Sequence, residues 1–304
     1  DGTRRIQDRM KELGARMVVG GPGPVDVDSW KSGEPDADKY YNENLGQLSA
    51  IAGKLAKERG FVFADMHALM MDVMAKAKAA NGADYHVCGG DGVHPGANGH
   101  LVMAYTFLKA LGVDGDIGTI SVDLKDGATG SEGHKILSAK AGEVEIESSR
   151  YPFCFYGAEK DPNATRSVLP FLPFNEELNR YMLVVKNLDA EQAEVSWGPT
   201  SKTFTRAQLE AGVNLAAEFF DNPFSKPFQD LDSAVNTKQK FETQMIKGVV
   251  TRFSSMRTLM KDDPEVGELL DVLYKKLAGK QEKLQETARA AVKPVIHKLS
   301  IVAK

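Results

Sequence analysis

The run Arg16-Met17-Val18-Val19 stops at Gly20-Gly21-Pro22-Gly23-Pro24, and no other stretch limits the possible folds as strongly. Proline has no N–H to donate and glycine no side chain to pack, so a buried strand cannot continue through such a segment. A short apolar strand that ends in a Gly/Pro loop before a helix looks like the carboxyl edge of a parallel sheet, where ligands bind. The pattern then repeats. Leu45, Leu48, Ile51, Ala52 and Leu55 share one helix face, Phe61-Val62-Phe63-Ala64 is the next strand, and Asp65 and His67 lie just beyond it. Helix follows again over residues 68–80. Before the first strand, Ile6, Met10 and Leu13 stripe a helix that closes at Gly14, and after a polar loop Leu101, Tyr105, Leu108 and Leu111 line another. This order predicts an α/β layered domain with a parallel sheet. Two strands are too few for a stable core, so the expectation is that further strands lie upstream of Asp1.

From about Val113 the period changes. Thr119–Leu124, Val144–Glu147, Tyr181–Lys186, Ala193–Trp197 and Lys202–Thr205 are short alternating runs separated by turn residues, which predicts a small antiparallel sheet or sandwich. Phe241, Met245, Val249, Phe253, Met256 and Met260 then recur at helical spacing. Asp263-Pro264 is a helix start, with an N-cap residue before Pro at the first position. Leu269, Leu270, Leu273 and Leu277, continued by Leu284, Ala288, Val292 and Ile296, complete a predicted C-terminal helical hairpin. The expected domains are 1–112, 113–236 and 237–304.

The hydrophobic content of 42% and charged content of 26% are those of an ordinary globular protein. A net charge of −4 argues against a general nucleic-acid binder. From Lys238 to Lys304 there are 14 basic and 8 acidic residues, a surplus of +6 that leaves −10 on the remainder, and the tail reads as a solvated helix face. Cys88 and Cys154 read as two buried free thiols. No run reaches the ~18 apolar residues of a membrane helix, and no signal peptide is visible. The chain enters a helix almost at once from Asp1, which looks like a cut end, so export to the periplasm or the medium stays open.

Chemistry concentrates at Asp91-Gly92-Val93-His94-Pro95, followed by Gly96-Ala97-Asn98-Gly99-His100. An acid and a histidine three residues apart on a glycine-rich turn can hold an imidazole toward a cleft, with the carboxylate fixing its tautomer. The other histidines fit blander roles. His297 is expected in the terminal helix, His134 in a loop of the β region, His86 with Cys88 in loop packing, and His100 in a hydrogen bond within the fold. His67 has at most a minor chemical claim. Asp91, His94 and His100 could ligate zinc in principle, but no HExxH or clustered Cys/His spacing supports a metal, and no cofactor is called for.

The segment from about Thr3 to Gly112 resembles the C-terminal half of an SGNH hydrolase, the GDSL-type esterase/lipase superfamily. Asp91–Pro95 is similar to that family's DxxHP block, followed by the small-residue run to His100 before a final helix. Val18 to Asp26 resembles the strand and Pro-rich loop ahead of it, and Tyr40 to Asp65 the next helix and strand. The resemblance implies a three-layer α/β/α fold, flavodoxin-like, that lacks its N-terminal strands in this chain. It implies ester hydrolysis by a serine, with His94 as general base and Asp91 as its partner. The serine block, Gly-Asp-Ser, and the two oxyanion-hole blocks of the family are absent from these 304 residues. Gly130-Ser131-Glu132-Gly133 reads as a turn. The nucleophile is therefore expected upstream of Asp1, and this chain alone is expected to be inactive.

The expected partners are a small-molecule or carbohydrate ester, with short acyl groups preferred by analogy, and no nucleic acid or membrane; the oligomeric state is open. The alternative is a non-catalytic carbohydrate-binding or scaffold protein that keeps the hydrolase framework, with Trp197, Tyr151 and Tyr156 as stacking candidates or, more simply, as core.

Overall fold

The computed structural model describes residues 2–304. Its helices are α1 (Gly2–Glu12), α2 (Ala37–Arg59), α3 (Met66–Asn81), α4 (Ala97–Ala110), α5 (Phe174–Leu178), α6 (Arg206–Ala211), α7 (Leu215–Glu218), α8 (Ser225–Thr243), α9 (Thr251–Leu259) and α10 (Pro264–Ala290). Its strands are β1 (Val18–Gly20), β2 (Val62–Ala64), β3 (Asp116–Asp123), β4 (Gly127–Gly130), β5 (His134–Lys140), β6 (Glu143–Ser148), β7 (Arg180–Lys186), β8 (Gln192–Trp197), β9 (Thr200–Thr205), β10 (Val213–Asn214) and β11 (Val295–Ala303). The chain is mixed α/β, with an α/β-layered part, a β-rich part and C-terminal helices. It divides into two compact units.

The first unit holds residues up to Ile117 together with Phe155–Tyr181 and Asn214–Phe220. β1 and β2 pair in parallel, Val19 opposite Phe63, as expected for strands joined by a helical crossover. Val19, Ala64, Met70, Val73, Leu101 and Val102 are buried around them, contributed by β1, β2, α3 and α4. Gly60 closes α2 in a left-handed conformation, and Asp65 caps α3 by accepting the Ala68 N–H, so β2 is bounded by a helix stop and a helix start. Residues 155–181 lie in the β-rich stretch of the sequence yet build onto this unit. Tyr85 and Ser167 share a 2.7 Å hydrogen bond there, and the Tyr105 hydroxyl donates to Glu177 at 2.7 Å.

The second unit holds Gly118–Cys154, Met182–Val213 and Asp221–Lys304. One four-stranded sheet has the order β10-β7-β3-β4, and a five-stranded sheet the order β5-β6-β11-β8-β9. The central strand of the larger sheet is β11, antiparallel to β6 on one side and β8 on the other. This corrects the reading of residues 292–304 as helix. Pro294 cannot extend α10, because it removes an N–H and restricts the residue before it. Beyond it His297, Leu299 and Ile301 turn inward, while Ile296 is 60% exposed, a period of two rather than 3.6. The helical hairpin exists as far as Ala290, with α8 packed against α10. The Asp263 side chain caps α10 and Pro264 occupies its first turn.

His297 is therefore a strand residue, and it sits in a buried polar chain. The Trp197 indole N–H donates to its Nδ1 at 3.1 Å, so that nitrogen must be bare. The proton of the neutral ring is then on Nε2, 2.9 Å from Ser148 Oγ, which leaves the Ser148 hydroxyl to donate to His134 Nδ1 at 2.8 Å. His134 is buried in β5 rather than held in a loop. Burial, with a smaller contribution from the neighbouring His134, pulls the His297 pKa down from 6.5 to about 4. Protonation would set a ring N–H against the indole N–H. Between these values the unfolded chain binds the proton and the native unit does not, so stability is complete above about pH 6.5 and falls as pH drops through about 4. The expected loss is on the order of 3 kcal/mol. Denaturant melts at pH 7.5 and pH 4.5 test it, and His297→Gln should flatten the difference; an unchanged pH slope in that variant would refute the assignment.

Candidate active site

Asp91 organises its own turn. One carboxylate oxygen, Oδ1, accepts the backbone N–H groups of Val93 and His94, both at 3.0 Å. The other, Oδ2, lies 2.6 Å from His94 Nδ1. The three-residue spacing matters because it lets one carboxylate cap the turn and hold the ring together. These bonds, the His94 side chain first and then the two amides, pull the Asp91 pKa from 3.8 to about 2. The carboxylate is consequently ionised at any ordinary pH and can only accept. Nδ1 of His94 must then carry a proton, and in the neutral ring Nε2 is left with a bare lone pair. Among the described residues Nε2 has no hydrogen-bond partner, and the side chain is 85% exposed.

Two glycines give the turn its path. Gly89 (φ +82°) and Gly92 (φ +80°) are in the left-handed region, and the Gly92 N–H closes the turn on the Gly89 carbonyl at 3.0 Å. A Cβ on Gly89 would stand 1.9 Å from the His94 carbonyl oxygen. A Cβ on Gly92 would stand 2.6 Å from the Trp30 nitrogen and 2.7 Å from the Asp26 carbonyl oxygen. The loop after β1 thus lies directly against the turn. The Asp26 N–H donates to the Gly92 carbonyl at 2.9 Å, and Asn42 holds Val25 through its N–H and C=O, both at 2.8 Å. Trp30 stacks at a tilt on Tyr41, with ring centroids 4.4 Å apart. Val27, Trp30, Lys31, Ser32, Glu34, Ala37 and Asp38 line a cavity of about 270 Å³ beside this loop. Asn163, from residues 155–181, reaches the other flank, with Oδ1 3.8 Å from where a Gly96 Cβ would stand. The sequence offered no signal for Asn163, because a lone Asn in a loop carries none.

The remaining candidates separate. His86 is held between loops, its Nδ1 3.0 Å from Ser29 Oγ and 3.3 Å from Asp26 Oδ2, in keeping with a packing role. His100 is exposed in α4 and, among the described residues, makes no side-chain hydrogen bond, contrary to expectation; the helix leaves its ring facing solvent. The His67 ring lies against Gly46 of α2, and its Nε2 is buried without a partner among the described residues. Among those residues no three His, Cys, Asp or Glu side chains converge as metal ligands. Cys88 and Cys154 are both free and buried, and burial pushes each thiol up to about 12. Ser131 sits in a turn, its N–H on the Thr119 carbonyl and its Oγ accepting the Thr119 N–H at 2.9 Å. Of the three stacking candidates, Trp197 is fully buried and Tyr151 packs edge-on against Phe224, so only Tyr156, at 54%, is an exposed ring. No helix among the described residues is long and apolar enough to cross a membrane.

No protein-family model matches the chain, and no curated protein does. Among solved structures, one described as BT4096, a gut microbial diltiazem-metabolizing enzyme, superposes with a TM-score of 0.72 at 22% identity. The match covers 99% of this chain and 75% of that one. At this identity the likeness speaks for the fold.

Proposed function

We propose that the chain carries the acid–base half of a serine esterase of SGNH type acting on short acyl esters, with His94 as general base and Asp91 as its orienting carboxylate. One observation carries the reading: Nδ1 of His94 is committed to a carboxylate that stays ionised, while Nε2 is bare and faces solvent. The nucleophile is a serine outside residues 1–304, and the oxyanion donors accompany it. As that serine attacks the ester carbonyl, Nε2 takes its proton, and the imidazolium charge is balanced by Asp91, which does not itself become protonated. Nε2–H then passes the proton to the leaving alcohol, giving an acyl-serine. Water attacks this acyl group by the same route, releasing the acid and restoring serine and neutral His94. Because the solved structure with this fold is described as a diltiazem-metabolizing enzyme, diltiazem is a natural substrate to offer beside p-nitrophenyl acetate.

The test is covalent. In the intact protein a fluorophosphonate should label one serine outside residues 1–304, and His94→Ala should slow the labelling by about 10³-fold. Labelling at the wild-type rate in that variant, or no labelling and no ester turnover in the wild type, would refute the reading.

A further inference from the structure

The esterase machinery does not account for a second cluster behind the His94 turn. Asp26 is 1% exposed, and its carboxylate accepts from the ammonium of Lys78 on α3 through Oδ1, which also takes the Asp28 N–H at 3.2 Å. Lys78, itself mostly buried, also binds Asp28 Oδ2 at 2.6 Å. The second oxygen of Asp26 faces His86 Nδ1 at 3.3 Å. From this anchor both flanks of the turn are held. The Asp26 N–H grips the Gly92 carbonyl directly, and the His86 carbonyl accepts from Asn98 Nδ2 at 2.9 Å, where α4 begins. His94 lies between these two attachment points in sequence, two residues after Gly92 and four before Asn98.

Stability alone is a poor reason for such a pair. Desolvating two charges offsets most of their attraction, and neutral replacements of similar volume are often no less stable. What a buried pair supplies is a fixed position, and proton transfer at Nε2 needs the ring held within a fraction of an ångström.

We propose that Lys78 and Asp26 form a positioning pair that sets the location of the His94 turn through Gly92 and Asn98. The proposal rests on the esterase reading for its kinetic consequence and on geometry alone for its structural one. Lys78→Met leaves the buried Asp26 carboxylate without its ammonium counter-charge and should destabilise the protein; adding Asp26→Asn removes that charge and should restore the melting temperature. In the double variant of the intact protein kcat should remain down by about tenfold with KM within about twofold, and Lys78→Arg should keep most of the rate. Amide hydrogen exchange at Val93 and His94, whose N–H groups bind Asp91, should be faster by about tenfold in the same double variant. Wild-type kcat or wild-type exchange in a double variant with recovered stability overturns the proposal. If the wild-type protein hydrolyses no ester, the esterase reading fails and exchange at Val93 and His94 alone decides this one.

Discussion

His94→Ala in the intact protein should lower kcat/KM for p-nitrophenyl acetate by about 10⁴-fold, leaving only what substrate binding and the oxyanion donors provide. Asp91→Asn should come within roughly tenfold of that loss, for a reason visible in the turn. The asparagine carbonyl can still accept the Val93 and His94 N–H groups, so the backbone path survives. Its amide N–H₂ then faces Nδ1, which must become the acceptor, and the ring proton moves to Nε2. The ring has the wrong tautomer to take a proton from serine. Circular dichroism should therefore be unchanged while turnover collapses. Steady-state rates for both variants check this, and an Asp91→Asn enzyme within tenfold of wild type would refute the tautomer argument. Because Asp91 is held near pKa 2, protonation of this carboxylate contributes no acid limb to the pH–rate profile above about pH 3.

Gly89→Ala is the second large effect. The new Cβ would meet the His94 carbonyl oxygen at 1.9 Å, with φ at +82°, so both sterics and backbone conformation oppose it. The left-handed conformation costs roughly 1–2 kcal/mol for an L-residue, and forced displacement of packed backbone adds about 1–3 kcal/mol. The expected loss is roughly 2–5 kcal/mol of stability, measured by denaturant unfolding. Activity should fall further than stability explains, because the carbonyl that must move belongs to His94. A variant that unfolds like wild type and keeps its rate would show that the turn is free to rearrange.

Much of the first unit was legible because short-range chemistry decides it. The Gly/Pro segment at the end of β1 and the helical spacing of α2 each act over a few residues, and the element bounds follow them closely, although Leu48 and Ile51 of the expected apolar face are exposed. The Asp91–His94 pairing was legible for the same reason, being a three-residue contact. What escaped notice depends on distant partners. Val292 and Ile296 match a helical repeat by coincidence, and only Pro294 and the gap between β6 and β8 make β11 a strand. The Asp26–Lys78 pair joins residues 52 positions apart, and nothing local marks either as buried. Asn163 reaches the turn from a stretch whose sequence neighbours are β strands. Trp197 illustrates the converse, since a tryptophan on an alternating strand fits stacking on a ligand and core packing equally well until the sheet above it is known.

The position of β11 also orders events during biosynthesis. β5 with β6 and β8 with β9 are local hairpins that can form as soon as they leave the ribosome. The strand that joins them comes last among the described strands, after the whole helical hairpin, and pairs with residues about 150 positions earlier. Until then β6 and β8 each present an open edge, the kind of surface that recruits foreign strands. The β6 edge is guarded meanwhile by Glu143, Glu145 and Glu147, which alternate with Val144 and Ile146 and repel like copies of themselves. The five-stranded sheet is thus a long-range closure, and the arrival of a single strand between two waiting hairpins is its expected slow step.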